Sequence, residues 1–146
     1  MANLFDDSLG LETDKPTVIL ATQPIDGLPS VTLNDKQRLY ARIVKHLSEH
    51  GKQLILKIHP AEDKSDYAFI DSRAIRTPEK MPLEALILRF TTPVTIVSVS
   101  SSAGMGFENY CRRIKLVEGM YAETVPEWVA HPEKLDQVLL RLLADL

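Results

Sequence analysis

Apolar positions in this chain fall into short continuous runs that alternate with stripes at helical spacing. Thr17 to Thr22 is an aliphatic, β-branched run that reads as a first strand. Gln23-Pro24-Ile25-Asp26-Gly27 breaks it. Leu39, Tyr40, Ile43, Val44 and Leu47 then recur as one helical stripe, with Asn34 and Gln37 as a capping pair and Gly51 just past the end. Gln53 to Ile58 is nearly continuous in apolar residues, as expected of a strand covered on both faces. A short helix is expected around Lys64 to Ile70, and a brief third strand over Ala74 to Arg76. Pro82 suits the first turn of a helix that carries Leu83, Leu86, Ile87 and Phe90. Val94 to Val99 reads as a fourth strand, Ala103 to Arg112 as a helix despite Gly104 and Gly106, and Ile114 to Val117 as a fifth strand. Leu135, Val138, Leu139, Leu142 and Leu143 form one face of a final helix.

Strands alternating with helices predict an α/β domain of Rossmann-like type: a mostly parallel, five-stranded sheet with helices on both faces. The expected strand order is 3-2-1-4-5. Residues 1–15 are acidic and lack periodicity, so they read as a loose lead-in, and residues 16–146 as the domain. A length of 146 residues allows one domain with a sizeable core. A formal charge of -3 with no basic run argues against nucleic acid as a partner. The single cysteine, Cys111, excludes an internal disulfide and reads as an inert buried thiol within a helix. No signal peptide and no stretch long enough to span a bilayer is evident. A cytoplasmic chain is the expectation, with peripheral attachment to the inner membrane left open.

The chemistry gathers at the strand ends. Lys57-Ile58-His59-Pro60 closes the second strand and Ser100-Ser101-Ser102 closes the fourth. In open parallel sheets ligands bind beyond the carboxyl ends of the strands, where the strand order reverses. For the order 3-2-1-4-5 that point lies between strands one and four, flanked by the loop with Gln23 and Asp26. Strands two and four are then two spacings apart, roughly 10 Å, so side chains from both can reach one anion. Ser101 and Ser102 would open a helix whose free N–H groups favour an anion. His59 carries an imidazole that can donate to a departing phosphate oxygen. Lys57 shares a strand face with it, and Glu84, near a helix start, can accept from ribose hydroxyls. Plainer readings stand beside these: serines that cap a helix, a glutamate placed well at a helix start, a lysine at an edge.

Other constellations carry less. His131-Pro132 repeats the dipeptide before the last helix, where proline at the first position accounts for it. His46 and His50 are spaced for one helix face but lack a partner motif, and read as surface histidines; no metal site is supported. Asp6-Asp7 reads as a solvated pair. Neither a Walker loop nor a dinucleotide fingerprint is present.

The series Lys57-Ile58-His59-Pro60, Pro82-Leu83-Glu84 and Ser100-Ser101-Ser102 resembles bacterial sialyltransferases and polysialyltransferases, enzymes of bacterial polysaccharide biosynthesis. Leu20-Ala21-Thr22-Gln23-Pro24 is similar to the opening of their carboxyl-terminal domain, and the likeness spans roughly residues 17 to 118. The resemblance implies a GT-B arrangement of two Rossmann-like domains, of which this chain is the half that binds CMP-sialic acid. It implies that His59 protonates the leaving CMP phosphate and that two of Ser100, Ser101 and Ser102 hold its oxygens. Glu84 would bind the ribose, with Lys57 and Pro60 lining the donor site. It further implies inversion through an oxocarbenium-like state, no cofactor or metal, and a glycan acceptor. The family's acidic base belongs to an amino-terminal domain, and Asp6-Asp7-Ser8 does not match its acidic-acidic-Gly motif. The expectation is therefore a donor-binding half that is weakly active or inactive alone. Two other readings remain: a non-catalytic nucleotide- or phosphate-binding module, and a structural α/β domain with Trp128 and Tyr121 packing its terminal segment.

Overall fold

The apolar runs form the strands of a single sheet. The computed structural model describes residues 10–70, 74–78 and 80–146. Strands β1 (Thr17–Ala21), β2 (Gln53–Lys57), β3 (Ile75–Arg76), β4 (Val94–Ser98) and β5 (Cys111–Lys115) pair in parallel throughout, in the order β3-β2-β1-β4-β5. The expected strand order and α/β class hold. Helices α1 (Leu33–Ser48), α2 (Leu83–Ile87), α3 (Tyr121–Ala130) and α4 (Pro132–Leu142) complete the domain.

Alternation along each strand divides the core between the two faces. Val18, Leu20, Leu56 and Val97 face one core, shared with α1, α3 and α4. Ile19, Ala21, Ile55 and Ile96 face the other, with Leu86 and Ile87 of α2 and Cys111. Both faces are covered, as the continuous apolar runs require. Of the expected lead-in, Glu12 exchanges hydrogen bonds with the Gln53 side chain, and the Thr13 carbonyl accepts from Thr91 N–H. Asp6-Asp7 lies outside the described residues.

Several local expectations are corrected. The cap of α1 is Thr32, not Asn34: its hydroxyl accepts from Asp35 N–H at 3.1 Å, and the Asp35 carboxylate accepts from Thr32 N–H at 2.9 Å. The short helix expected after β2 is a 3-10 turn, Lys64–Tyr67. His50 lies beyond the end of α1, whereas His46 is half-buried against Asp136 of α4 and is not a surface residue. Pro132 does start α4.

The largest correction follows β4. Residues 101–110 are turns rather than a helix, and Cys111 opens β5. Gly104 and Gly106 have φ of +83° and +90°, the left-handed region that interrupts a right-handed helix. Gly104 is also a close approach, since a Cβ there would lie 2.7 Å from Ile96 Cδ1 and 3.0 Å from Cys111 Sγ. Arg113 of β5 holds the turn, donating from Nε to the Ala103 carbonyl at 2.9 Å. Cys111 is buried, and burial raises its thiol pKa, which suits the expected inert role.

Candidate functional site

The parallel register brings three strand ends level. Ala21 pairs with Lys57 on one side and with Ser98 on the other. The strand order reverses here, and the chain leaves each strand into a loop. An open groove of about 560 Å³ results, lined by Thr22, Lys57, His59, Pro60, Leu83 and Ser101 among others. Clusters 40 residues apart in the chain therefore share one wall, because β2 and β4 flank β1.

His59 is exposed and held at two points. Its backbone N–H donates to Thr22 Oγ1 at 3.0 Å, and its Nδ1 accepts from Ala61 N–H at 3.0 Å. Accepting at Nδ1 places the proton of a neutral ring on Nε2, which makes Nε2–H the donor available to a ligand. Lys57 is half-buried at the end of β2. Burial pushes its ammonium below the ordinary range, and the nearby charge of Glu84 works against that shift. An anionic ligand there would favour the charged form. Glu84 is exposed in the first turn of α2.

The three serines differ. Ser101 lines the groove, and its Oγ accepts from Ala103 N–H at 2.9 Å, which leaves the hydroxyl proton able to donate. Ser100 N–H donates to the Gln23 side chain, tying the loop after β4 to the loop after β1. Ser102 is exposed, and its carbonyl accepts from Met105 N–H. No helix begins at these residues, so anion binding here rests on side chains and turn N–H groups, not on a helix dipole. Asp26 faces Lys36 at 3.3 Å and Gln23 is taken by Ser100, so both loop residues are engaged within the protein.

Beneath the His59 turn lies a buried polar network. Lys36 and Glu62 have side chains only 1% exposed and pair at 2.8 Å. Lys36 also pairs with Asp66 at 2.8 Å and Asp26 at 3.3 Å. Burial alone would lower the Lys36 pKa, but the hydrogen bonds of Asp66 and Glu62 and the surrounding negative charge outweigh it and raise the pKa. Glu62 in turn accepts from the Thr22 hydroxyl at 2.6 Å and from the Tyr67 hydroxyl. Tyr40 stands edge-on to Tyr67, 5.4 Å between centroids, and its hydroxyl accepts from Gln23 N–H at 2.9 Å. Burial raises the pKa of both phenols and keeps them protonated. The network thus runs from Lys36 through Glu62 and Thr22 to the backbone of His59, and fixes that loop against β1.

Thr22→Val is expected to remove this hold while conserving shape. His59 N–H loses its acceptor and Glu62 loses one donor, a cost of about 1–3 kcal/mol. Thr22→Ser should retain most of the stability. Thermal melts of both variants check this, and equal melting temperatures would mean that the hydroxyl holds nothing.

Comparison with protein families matches residues 8–117 to the family described as Alpha-2,8-polysialyltransferase (POLYST), a span from before β1 to just past β5. Comparison with the curated proteins gives no match, and neither does comparison with the solved structures.

Proposed function

The chain belongs to the alpha-2,8-polysialyltransferase family, and on that premise we propose that it is the donor-binding domain of an enzyme that transfers sialic acid from CMP-sialic acid to a glycan acceptor. One observation carries the assignment: His59 and Ser101, from different strand ends, line a single groove. In this reading the nucleoside lies in that groove between β2 and the start of α2, with Glu84 accepting from the ribose hydroxyls. Lys57 adds positive charge beside it.

The phosphate lies between His59 and Ser101. As the bond from the anomeric carbon to the phosphate oxygen breaks, its electron pair leaves with CMP. His59 Nε2 supplies a hydrogen bond or proton to that oxygen, and the Ser101 hydroxyl donates to another. The acceptor hydroxyl attacks the opposite face, which inverts the centre. Its proton goes to a carboxylate that we assign to an amino-terminal domain, completing a GT-B cleft over this one. No described helix is long and apolar enough to cross a membrane. Peripheral attachment beside a membrane-bound acceptor remains part of the proposal.

The test is stabilisation by CMP. At about 100 times its dissociation constant a ligand of the native state adds about 2.7 kcal/mol, or roughly 5–10 °C of melting temperature for a domain of this size. An unchanged melting temperature at millimolar CMP would overturn the assignment. Stabilisation by CMP without turnover, in the presence of an acceptor-side domain, would favour the non-catalytic nucleotide-binding module instead.

A further inference from the structure

A second recess of about 290 Å³ lies on the β3 side of the His59-Pro60 turn. It shares Ile58, His59, Pro60 and Lys80 with the groove assigned to the nucleoside, so the two are adjoining halves of one concave surface. Its own wall adds Lys64 and Arg76. Among the described residues, Lys64, Arg76 and Lys80 form no ion pair. The carboxylate of Glu62, among the described residues of the wall, is already claimed by Lys36. Among the described residues, the recess is therefore a concentration of positive charge that no ion pair neutralises.

Arg76 is the built part of it. The side chain is half-buried, and its Nη2 donates to two backbone carbonyls, Tyr67 at 3.0 Å and Ile70 at 2.8 Å. Those bonds fix the plane of the guanidinium. Of its five N–H groups, the three on Nε and Nη1 meet no acceptor among the described residues. A half-buried guanidinium that no carboxylate balances among the described residues is costly, and a planar fork of N–H groups held in place matches a carboxylate in both spacing and shape.

We propose that Arg76, with Lys64 and Lys80, forms a subsite for a sugar carboxylate, entered from the His59 side. This rests on the donor-site reading above, which puts the scissile phosphate at His59. A sialyl carboxylate one sugar away from that point has two sources: the donor's own sialic acid, or the terminal sialic acid of a polysialyl acceptor. The chemistry recognised is the same.

The experiment titrates the chain with CMP, CMP-sialic acid and α-2,8-linked trisialic acid, as wild type, Arg76→Gln and Lys64→Gln. Loss of a charge-assisted pair should weaken the sialyl ligand about tenfold or more in Arg76→Gln, with a smaller loss in Lys64→Gln, while CMP affinity is unchanged. The loss should shrink as salt is raised. Weakening confined to CMP-sialic acid assigns the donor carboxylate, and weakening of trisialic acid assigns the acceptor's. Lys64 is exposed, so its variant reports on the subsite even where Arg76→Gln disturbs the turn that it braces. If wild type binds CMP but both variants bind both sialyl ligands as wild type does, the subsite is overturned and the donor site stands. If wild type binds trisialic acid through Arg76 but not CMP, the subsite stands and the donor reading falls. If neither sialyl ligand binds, the subsite is wrong.

Discussion

Replacing Lys36 with Met is expected to destabilise the fold by about 3–5 kcal/mol, a large share of the roughly 5–15 kcal/mol that a domain of this kind holds in reserve. The cause is not the loss of an attraction as such. Glu62 is as buried as Lys36 and is left without its cation when the lysine is removed, with Asp66 and Asp26 close by. Three carboxylates that faced one ammonium would face one another across an apolar side chain. Replacing Glu62 with Gln in the Lys36→Met background removes the most deeply buried of those charges, and should return part of the stability. A double-mutant cycle therefore reads a coupling energy well above additivity. The sign with pH follows from the raised lysine pKa. The contribution of Lys36 is fully present below the unfolded lysine value of about 10.4 and is lost as pH rises through the higher folded one. The gap between wild type and Lys36→Met should thus hold through neutrality and narrow in strong alkali. Denaturant melts measure all of this. A cost under about 1 kcal/mol, the range of exposed ion pairs, would show that water reaches the network.

The same network marks the boundary of what the sequence discloses. Apolar runs at β1, β2 and β4 announced strands because burial on both faces leaves no polar alternation, and the order of the sheet is the one expected of a Rossmann-like domain. Lys36 was legible in principle. It lies one helical turn before Leu39 and Tyr40 and two before Ile43, on the stripe those residues make. A lysine on an apolar stripe calls for a buried partner. Which partner could not be read, since Glu62 lies 26 residues away in a loop without periodicity. The turn after β4 was misread because Ala103, Met105 and Phe107 suit a helix. The decisive fact is the backbone of Gly104, with φ of +83° and a close approach to Ile96. Helix α3 was missed because Pro126 lies inside it and punctuates the pattern.

The strand-end clusters were legible for a different reason. His59 and Ser101 depend only on topology: once β2 and β4 flank β1 in parallel, their carboxyl ends must meet on one edge. The finer arrangement was not. That Ser101 rather than Ser102 lines the groove follows from the turn geometry, and that His59 presents Nε2 follows from the bond between Nδ1 and Ala61. The basic recess beside them comes from Lys64, Arg76 and Lys80, which share no motif and adjoin only because β3 pairs at the sheet edge.

His59→Asn is expected to separate the ring's ligand contact from its part in the loop. The Asn Oδ1 can stand where Nδ1 stands and accept from Ala61 N–H, as Asn does in turns of this kind. The backbone bond from His59 N–H to Thr22 is unaffected by the side chain. With an exposed ring replaced and both local bonds kept, stability should change by no more than about 0.5 kcal/mol. What disappears is Nε2–H. A hydrogen bond to a charged phosphate contributes about 1.5–3 kcal/mol, so CMP affinity should fall by roughly 10- to 100-fold. Sialyl transfer, assayed in the presence of an acceptor-side domain, should fall further, by about 10²- to 10⁴-fold, because the proton donor to the leaving oxygen is lost as well. His131→Asn controls for the dipeptide: it precedes Pro132 at the start of α4 and should leave CMP affinity unchanged. Calorimetry reads the affinities and a thermal melt reads the fold. Equal CMP affinity in wild type and His59→Asn, with both folded, would remove His59 from the donor site. The groove would then have to hold its phosphate by Ser101 and Lys57 alone.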